Sequence, residues 1–448
     1  MINIGRPYII DKNDCSVLFA PVSVSKDTAE KYKNLKDELP DKSVYWRVNE
    51  DYPPAAWQSE NSGLWFEVPK EYGSYLCSDR SDAFLVAMFW YAFMTGSDIS
   101  CEAPVSENVV FQINHYLQEA LLKDQSRRIH IECETTDVPY PSFGAVGTGM
   151  SCGVDSIYTA WKYTQETIPV NFRLSALTYF YHGSIFHPDM RQKKTYTIKE
   201  FYAKTEEMAL IKRDNAQKVA DEMGLPLIYV KTNLDSDYYR GAFGYTAVYR
   251  NCACVLALQG YFSKYYLSSA GWPDFFELNP AAGSEHYETL LAGVFSTEGL
   301  KFLISDYVTR FQKTESISDY PIAQNHLDVC YNFNNCGECT KCRRTLLTLD
   351  ILGKTDEFGR VFSIEKWKND RVRAYAWMLE QKDGNITKNN HAIYAKDIYA
   401  KAVEMNAIPA EAVSIYEQKK AARSTTERKT LRRYLKKAVN ICRKAVKR

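Results

Sequence analysis

The sequence lacks any apolar run that approaches the roughly 20 residues needed to span a membrane. The longest candidate, AFLVAMFWYAFMTG, is shorter and is typical of a buried helix. The first residues, MINIGRPYIIDKND, also lack a basic stretch followed by an apolar core and a cleavage site of small residues, so they predict no secretion signal. We therefore expect a cytoplasmic protein with no transmembrane segment.

Internal repeats and low-complexity blocks are absent as well, which leaves an ordinary globular protein. The chain has 448 residues, of which 45% are hydrophobic and 25% are charged. That composition and length are typical of two or three globular domains.

The chain has almost no net charge, +1, but the two signs are unevenly spread. Residues 419–448 contain 13 Lys and Arg and a single acidic residue, Glu427, so this basic tail carries +12 and the rest carries −11. Apolar residues of the tail fall on one face of a predicted helix. The tail is predicted to bind RNA or DNA, an anionic membrane or the protein's own acidic body, or to be a solvated helix.

Four parts are predicted along the chain. They are an N-terminal α/β domain (1–138), a second α/β domain (139–325), a cysteine knuckle (326–353) and a helical region that ends in the basic tail (354–448). In the first part, SVLFAPV, GLWFEVP and RRIHIEC predict strands and RSDAFLVAMFWYAFMTG predicts a helix. The stretch YWRVNEDYPPAAW is interpreted as aromatic core, with an aromatic binding surface as the alternative.

From Phe143 onward, predicted strands alternate with predicted helices. The strands are FGAVGTG, LSALTYFY, LPLIYVKTN and YYLSSAG, and the later stretch TEGLKFLISDYVTRFQKTESISDY is predicted to be helical. Such alternation predicts an α/β fold with a parallel sheet flanked by helices. Ligands of these sheets bind beyond the carboxyl ends of the strands, where the segment SCGVDS begins.

The SCGVDS loop (Ser151–Ser156) has the residues of a phosphate site. A helix N-terminus attracts anions, Gly153 permits a tight turn, and the two serines add hydroxyl donors. Asp155 would repel a phosphate unless Mg²⁺ lay between them. The alternative is an ordinary helix with a serine cap and an aspartate in its first turn.

Four of the twelve cysteines, Cys330, Cys336, Cys339 and Cys342, crowd into 13 residues, whereas the others are scattered. This spacing predicts a closed tetrahedral Zn²⁺ site, with Gly337 turning the chain so that its N–H groups face sulfur. An iron–sulfur cluster uses the same ligands and remains an alternative.

The pattern S-x-G-x-D-S resembles the PP-loop of the N-type ATP pyrophosphatase superfamily, and no Walker motif stands at this position. The resemblance implies an adenine nucleotide alpha hydrolase-like fold that binds ATP and Mg²⁺ through Ser151, Cys152, Gly153, Val154, Asp155 and Ser156. Asp155 and Ser156 would be its catalytic residues.

Family members usually have glycine where this chain has Cys152. Although thiols at helix N-termini can have a lowered pKa, we interpret Cys152 as setting the shape of the loop.

Together, the loop and the cysteines resemble 7-cyano-7-deazaguanine synthases over roughly residues 143–350, with Lys313 and Glu315 at positions like those of a TK-x-E motif. This implies a ligase that adenylates a carboxylate or amide oxygen, releases pyrophosphate and AMP, and forms an amide or nitrile with ammonia or another amine. Queuosine-like biosynthesis and antiphage defence are the implied settings. The extra N- and C-terminal regions depart from the family. Ser284, Glu285 and His286 are weak candidates for substrate contact.

Two other functions stay open. One is a PP-loop adenylase that modifies tRNA, another nucleic acid or a protein, with the basic tail holding the macromolecule. The other is a non-catalytic scaffold that senses nucleotide. A homodimer is compatible with each function.

Overall fold

The computed structural model describes residues 1–38, 62–122, 127–182, 197–239, 242–269, 271, 273–384 and 390–422. The chain divides into two compact units, Met1–Asn335 and Cys336–Arg448. The aromatic stretch YWRVNEDYPPAAW and nearly all of the basic tail lie outside the described residues.

Strands occur only in the first unit, within the part of the chain that is described. They are β1 (Ile2–Ile4), β2 (Tyr8–Asp11), β3 (Cys15–Val24), β4 (Gly63–Pro69), β5 (Ile99–Cys101), β6 (Val105–Ser106), β7 (Ile131–Glu132), β8 (Thr135–Thr136), β9 (Ala145–Gly149), β10 (Ala176–Tyr181), β11 (Leu227–Thr232), β12 (Phe262–Leu267) and β13 (Lys301–Ile304). Eleven of them form one sheet in the order β13-β12-β9-β10-β11-β4-β3-β1-β5-β7, with β2 beside β3, and β6 pairs with β8.

Five neighbouring strands, β13, β12, β9, β10 and β11, are all parallel. The first of them in the chain, β9, lies in the middle, with β10 and β11 on one side and β12 and β13 on the other. The strand order therefore reverses between β9 and β12, which is where α/β sheets bind ligands at their carboxyl edge. The SCGVDS loop follows β9 directly.

Ten α-helices accompany these strands in the described residues of the first unit. They are α1 (Lys26–Glu38), α2 (Asp82–Thr95), α3 (Glu107–Gln112), α4 (Gln118–Leu121), α5 (Val154–Tyr163), α6 (Ile198–Met223), α7 (Phe243–Ala257), α8 (Glu288–Val294), α9 (Arg310–Ile317) and α10 (Pro321–His326). The mostly parallel sheet flanked by helices is the α/β architecture that the sequence predicts.

The core of the first unit crosses residue 138. The α2 helix is apolar on all sides and therefore has to be buried, and its Trp90 stacks on Tyr245 with ring centroids 5.8 Å apart. Strand β4 pairs with β11, so the first 138 residues extend the same sheet as the parallel strands. The compact unit ends at Asn335, whereas the predicted boundaries lie at 138, 325 and 353; the shared sheet and core explain why no compact unit ends at 138.

The second unit is helical in its described residues. Its helices are α11 (Thr340–Ile351), α12 (Ile364–Lys382), α13 (Asn390–Glu404) and a helix over residues 410–422. Asp350 of α11 accepts hydrogen bonds from Trp367, Arg371 and Tyr375 of α12. The carboxylate thereby joins two helices of this unit.

One predicted helix is wrong in part. Residues Lys301–Ile304 form the edge strand β13, and the helix α9 begins only at Arg310. The short apolar run KFLI fits a strand and a helix turn equally well, so periodicity alone could not distinguish them. No helix in the described part of the chain has the length and apolar character that crossing a membrane requires.

Candidate functional site

The SCGVDS loop joins β9 to α5 at the carboxyl edge of the sheet. Gly153 occupies the N-cap position of α5, and no side chain caps that end of the helix. Ser151 Oγ and Ser156 Oγ lie 3.2 Å apart, and Ser156 Oγ donates to the Gly153 carbonyl at 3.1 Å. The serine-capped helix that was the alternative interpretation is therefore not what the residues form.

Cys152 has the backbone conformation of a glycine. Its φ is +59°, in the left-handed region that L-residues rarely adopt. The side chain is only 1% exposed, and burial is the main cause of the raised pKa of its thiol. A buried neutral thiol is a poor nucleophile, which agrees with a role in loop shape. The side chain of Val154 is buried too, so only its backbone N–H could contact an anion bound at the loop.

Asp155 lies in the first turn of α5 and faces two cations of α9. Arg310 donates to both carboxylate oxygens through Nε and Nη2, and Lys313 Nζ lies 3.5 Å from Oδ1. The side chains of Asp155 and Arg310 are each about one-fifth exposed, whereas Lys313 is buried. The carboxylate and the two cations therefore form a charged cluster beside the SCGVDS loop.

Lys313 connects Asp155 to the segment that follows β12. Its ammonium donates to the carbonyl of Ser269 and lies 3.7 Å from the carboxylate of Asp306. Asp306 is also paired with Lys162 of α5 at 3.2 Å. We call Asp155, Lys162, Glu288, Asp306, Arg310 and Lys313 the Asp155 cluster.

Glu288, at the start of α8, is the buried acid of the Asp155 cluster. Its carboxylate accepts a hydrogen bond from Ser269 Oγ and is almost completely buried. Burial raises the pKa of Glu288 to about 7, against the opposing effects of the Ser269 hydroxyl and the Lys313 charge. A carboxyl group with such a pKa can exchange a proton near neutral pH.

The weak candidates Ser284 and His286 have structural roles. Ser284 Oγ is buried and accepts from the backbone N–H of Val248 at 3.0 Å. The His286 ring stacks on Phe275 with ring centroids 4.4 Å apart, and its Nδ1 lies 3.1 Å from the Phe275 carbonyl oxygen. Both side chains hold the segment before α8 in place.

The four clustered cysteines meet as the spacing predicts. The sulfur atoms of Cys330, Cys336, Cys339 and Cys342 all lie within 4.8 Å of one another. Gly337 has a φ of +77°, and the N–H of Cys339 points at the Cys336 sulfur at 3.3 Å. In a tetrahedral zinc site the sulfurs would be about 3.8 Å apart, and those of Cys336 and Cys342 are 4.0 Å apart. The four thiols could therefore bind a metal such as zinc.

Sequence reasoning missed Arg310, Glu288, Asp306 and Lys162. Arg310 is 155 positions from Asp155 along the chain, and no local pattern marks it as a partner. Lys313 was identified by its resemblance to a motif, whereas Glu315 beside it is exposed. The signal for Arg310 and Lys313 is their i,i+3 spacing at the start of a helix, which puts two cations on one face.

Comparison of the chain with protein-family models, with curated proteins and with solved structures finds no match.

Proposed function

We propose that the chain is an ATP-dependent carbon–nitrogen ligase of the PP-loop type. It would adenylate a carboxylate oxygen of a small acid and transfer the acyl group to ammonia or another amine. With ammonia, a second ATP would adenylate the oxygen of the resulting amide, and loss of AMP and a proton would give the nitrile. The 7-carboxy-7-deazaguanine of the resembling synthases is the first substrate to test.

The observation that carries the proposal is the position of Asp155. It lies in the first turn of an uncapped helix, at the reversal of the strand order, and two cations from another helix meet it there. Helix N-termini and cations stabilise phosphate charge, and a carboxylate beside them suits a phosphate-bound Mg²⁺. Ordinary helix capping requires neither Arg310 nor Lys313.

The chemistry follows from these groups. The acid's oxygen would attack the α-phosphorus of ATP, the bond to the β-phosphate would break, and pyrophosphate would leave. The amine would then attack the acyl carbon, AMP would leave, and a base would take the amine's extra proton. Arg310 and Lys313 would stabilise the charge on the phosphates. The pKa of Glu288 is about 7, so its carboxylate would be able to take up that proton near neutral pH.

Asp155 would be the protein ligand of Mg²⁺, which supplies charge neutralisation at the phosphates when bound. The carboxylate is paired with Arg310, so Asp155 would hold Mg²⁺ in place of part of that contact and Arg310 would remain beside the phosphates. The four thiols would hold a structural Zn²⁺ with no open position for catalysis.

The test is product analysis with purified protein, Mg–ATP, 7-carboxy-7-deazaguanine and ammonium. We expect AMP and pyrophosphate in equal amounts, together with the amide or nitrile of the acid. Asp155→Asn should lower this turnover by about 100-fold or more. The matched control is Asp214→Asn, an exposed carboxylate of α6, which should leave turnover unchanged. No AMP, or ADP and phosphate instead, would overturn the proposal.

A second candidate is the same adenylation directed at a macromolecule. The +12 charge of residues 419–448 favours it, because a cationic segment attracts nucleic acid or an acidic protein surface. Deleting these residues should then abolish binding of the macromolecule at moderate salt and leave Mg–ATP affinity unchanged. Unchanged binding of tRNA or of a candidate protein would count against this candidate.

A further inference from the structure

The residues around Cys330, the first of the clustered cysteines, contact the SCGVDS loop directly. We call Leu327–Asn335 the connecting segment. The backbone N–H of Asp328 donates to the carbonyl of Cys152 at 2.7 Å. Cys330, the first of the clustered cysteines, lies only two residues beyond Asp328. One short stretch of chain therefore contacts the loop and supplies a candidate metal ligand.

Asp328 is also held in place by an ion pair with Lys212. Its carboxylate accepts a hydrogen bond from Lys212 of α6, and both side chains are nearly buried, at 11% and 12% exposure. Lys212 Nζ also donates to the carbonyl of Phe333 at 3.4 Å. Lys212 thus fixes two points of the connecting segment against α6, and buried pairs of this kind are costly to break.

Asn335 closes the connecting segment on itself. Its side-chain amide donates to the Leu327 carbonyl at 2.7 Å and accepts from the Val329 N–H at 2.9 Å. The Cys330 sulfur accepts from the N–H of Asn332 at 3.3 Å inside the same turn. A displacement of Cys330 would therefore move the backbone that carries Asp328.

The loop needs such support at Cys152. A non-glycine residue in the left-handed region is strained and persists only where its surroundings impose it. The hydrogen bond from Asp328 falls on the carbonyl of this strained residue. The next residue, Gly153, is the N-cap of α5. The orientation of the helix's first N–H groups thus depends on this contact.

We propose that the connecting segment couples metal binding at the four cysteines to the shape of the SCGVDS loop. Lys212 and Asp328 are positioning residues that transmit the coupling, and a metal ion on Cys330 holds the segment in the position that supports Cys152. The nucleotide side of this coupling rests on the proposed function, whereas the effect on loop shape does not. The metal thereby has a role at the loop as well as a structural one.

The direct test uses Cys152 as its own reporter. A short pulse of N-ethylmaleimide is applied to the zinc-loaded protein and to the protein treated with a chelator, and labelling is measured peptide by peptide. We expect metal removal to accelerate labelling of Cys152 by about tenfold, the effect of losing about one hydrogen bond to a strained residue. Cys254 of α7 is fully buried and has no part in the connecting segment, so it reports global unfolding.

Two results would overturn the coupling. One is labelling of Cys152 that does not change when the metal is removed. The other is labelling of Cys152 and Cys254 that rises in parallel, because the whole fold would then have opened. A rise confined to Cys152 supports the coupling.

A variant tests the path without touching the metal ligands. Lys212→Met in the zinc-loaded protein should accelerate Cys152 labelling by about tenfold, with the metal content unchanged. Lys231→Met is the matched control, because Lys231 pairs with Glu206 of the same helix α6 and does not contact the connecting segment. Equal labelling of Cys152 in the two variants contradicts the role of Lys212.

Calorimetry with Mg–ATP separates the two proposals. If ATP binds with equal affinity with and without metal and Cys152 labelling is also unchanged, only the coupling fails. If Cys152 labelling responds to the metal but Mg–ATP does not bind at all, the coupling of loop shape stands and the proposed function fails.

Discussion

Asp155 and Glu288 are two carboxylates beside the same ammonium group, that of Lys313, but they differ in solvent access. Asp155 is one-fifth exposed and paired with Arg310, whereas Glu288 is buried and hydrogen-bonded to Ser269. The pKa of Glu288 is raised to about 7, and burial is the main cause. When two carboxyl groups lie in unlike environments, one can stay ionised while the other carries a proton.

The raised pKa of Glu288 predicts a pH dependence of stability. Because the native pKa lies above the unfolded value, this group's stabilisation is complete below about pH 4.5 and is lost as the pH rises through about 7. Between about pH 5 and about pH 8, wild type should lose about 2 to 3 kcal/mol more unfolding free energy than Glu288→Gln.

Urea unfolding at the two pH values measures the difference. The comparison with Glu288→Gln removes the contributions of all other titrating groups that the two proteins share. The same pH dependence in both proteins would show that the native pKa of Glu288 is not raised.

Helices and strands with strong local patterns were predictable from sequence, and those with weak patterns were not. The apolar α2 and the strand β4 both appear as predicted. The strand β13 was predicted to be helical because four apolar residues carry too little periodicity. Residues 2–4 and 8–11 form strands that the sequence analysis did not predict, again because they are short.

Two glycines at helix ends offer a matched test of backbone conformation. A Cβ added at Gly224 or at Gly293 would meet nothing within 4 Å, but only Gly224 has a positive φ, +64°. Gly224→Ala should therefore destabilise the protein by about 1 kcal/mol. Gly293→Ala in α8 should be neutral or stabilise it by up to about 1 kcal/mol.

Urea midpoints of the two variants provide the measurement. If both substitutions changed the free energy of unfolding by the same amount, the left-handed end of α6 would not be what distinguishes them.

For the complete fold, the sequence predicts the α/β class but not the contacts between distant residues. Alternating strands and helices indicated a parallel sheet, and the loop at the end of β9 was identified by its residue types. The pairing of β4 with β11 and of Asp155 with Arg310 joins positions more than 150 residues apart. Such contacts depend on the packing of the complete chain, which one sequence does not reveal.

The shared sheet makes a prediction about fragments. Residues 139–448 produced alone should lack the cooperative thermal transition of the first unit, because β11 loses the strand β4 and α7 loses its contact with α2. Adding residues 1–138 as a separate chain should restore a cooperative transition. Calorimetry checks both, and full cooperativity of residues 139–448 alone would mean that the first 138 residues are a separable domain.

We propose that the SCGVDS loop supports adenylation, and exchange of labelled pyrophosphate into ATP measures this activity directly. With Mg²⁺ and 7-carboxy-7-deazaguanine present and amine absent, we predict exchange that depends on the acid. Asp155→Asn should reduce it by about 100-fold or more, and Asp214→Asn should not. Absence of acid-dependent exchange in the wild-type protein, with the four-cysteine site fully loaded, would contradict the claim.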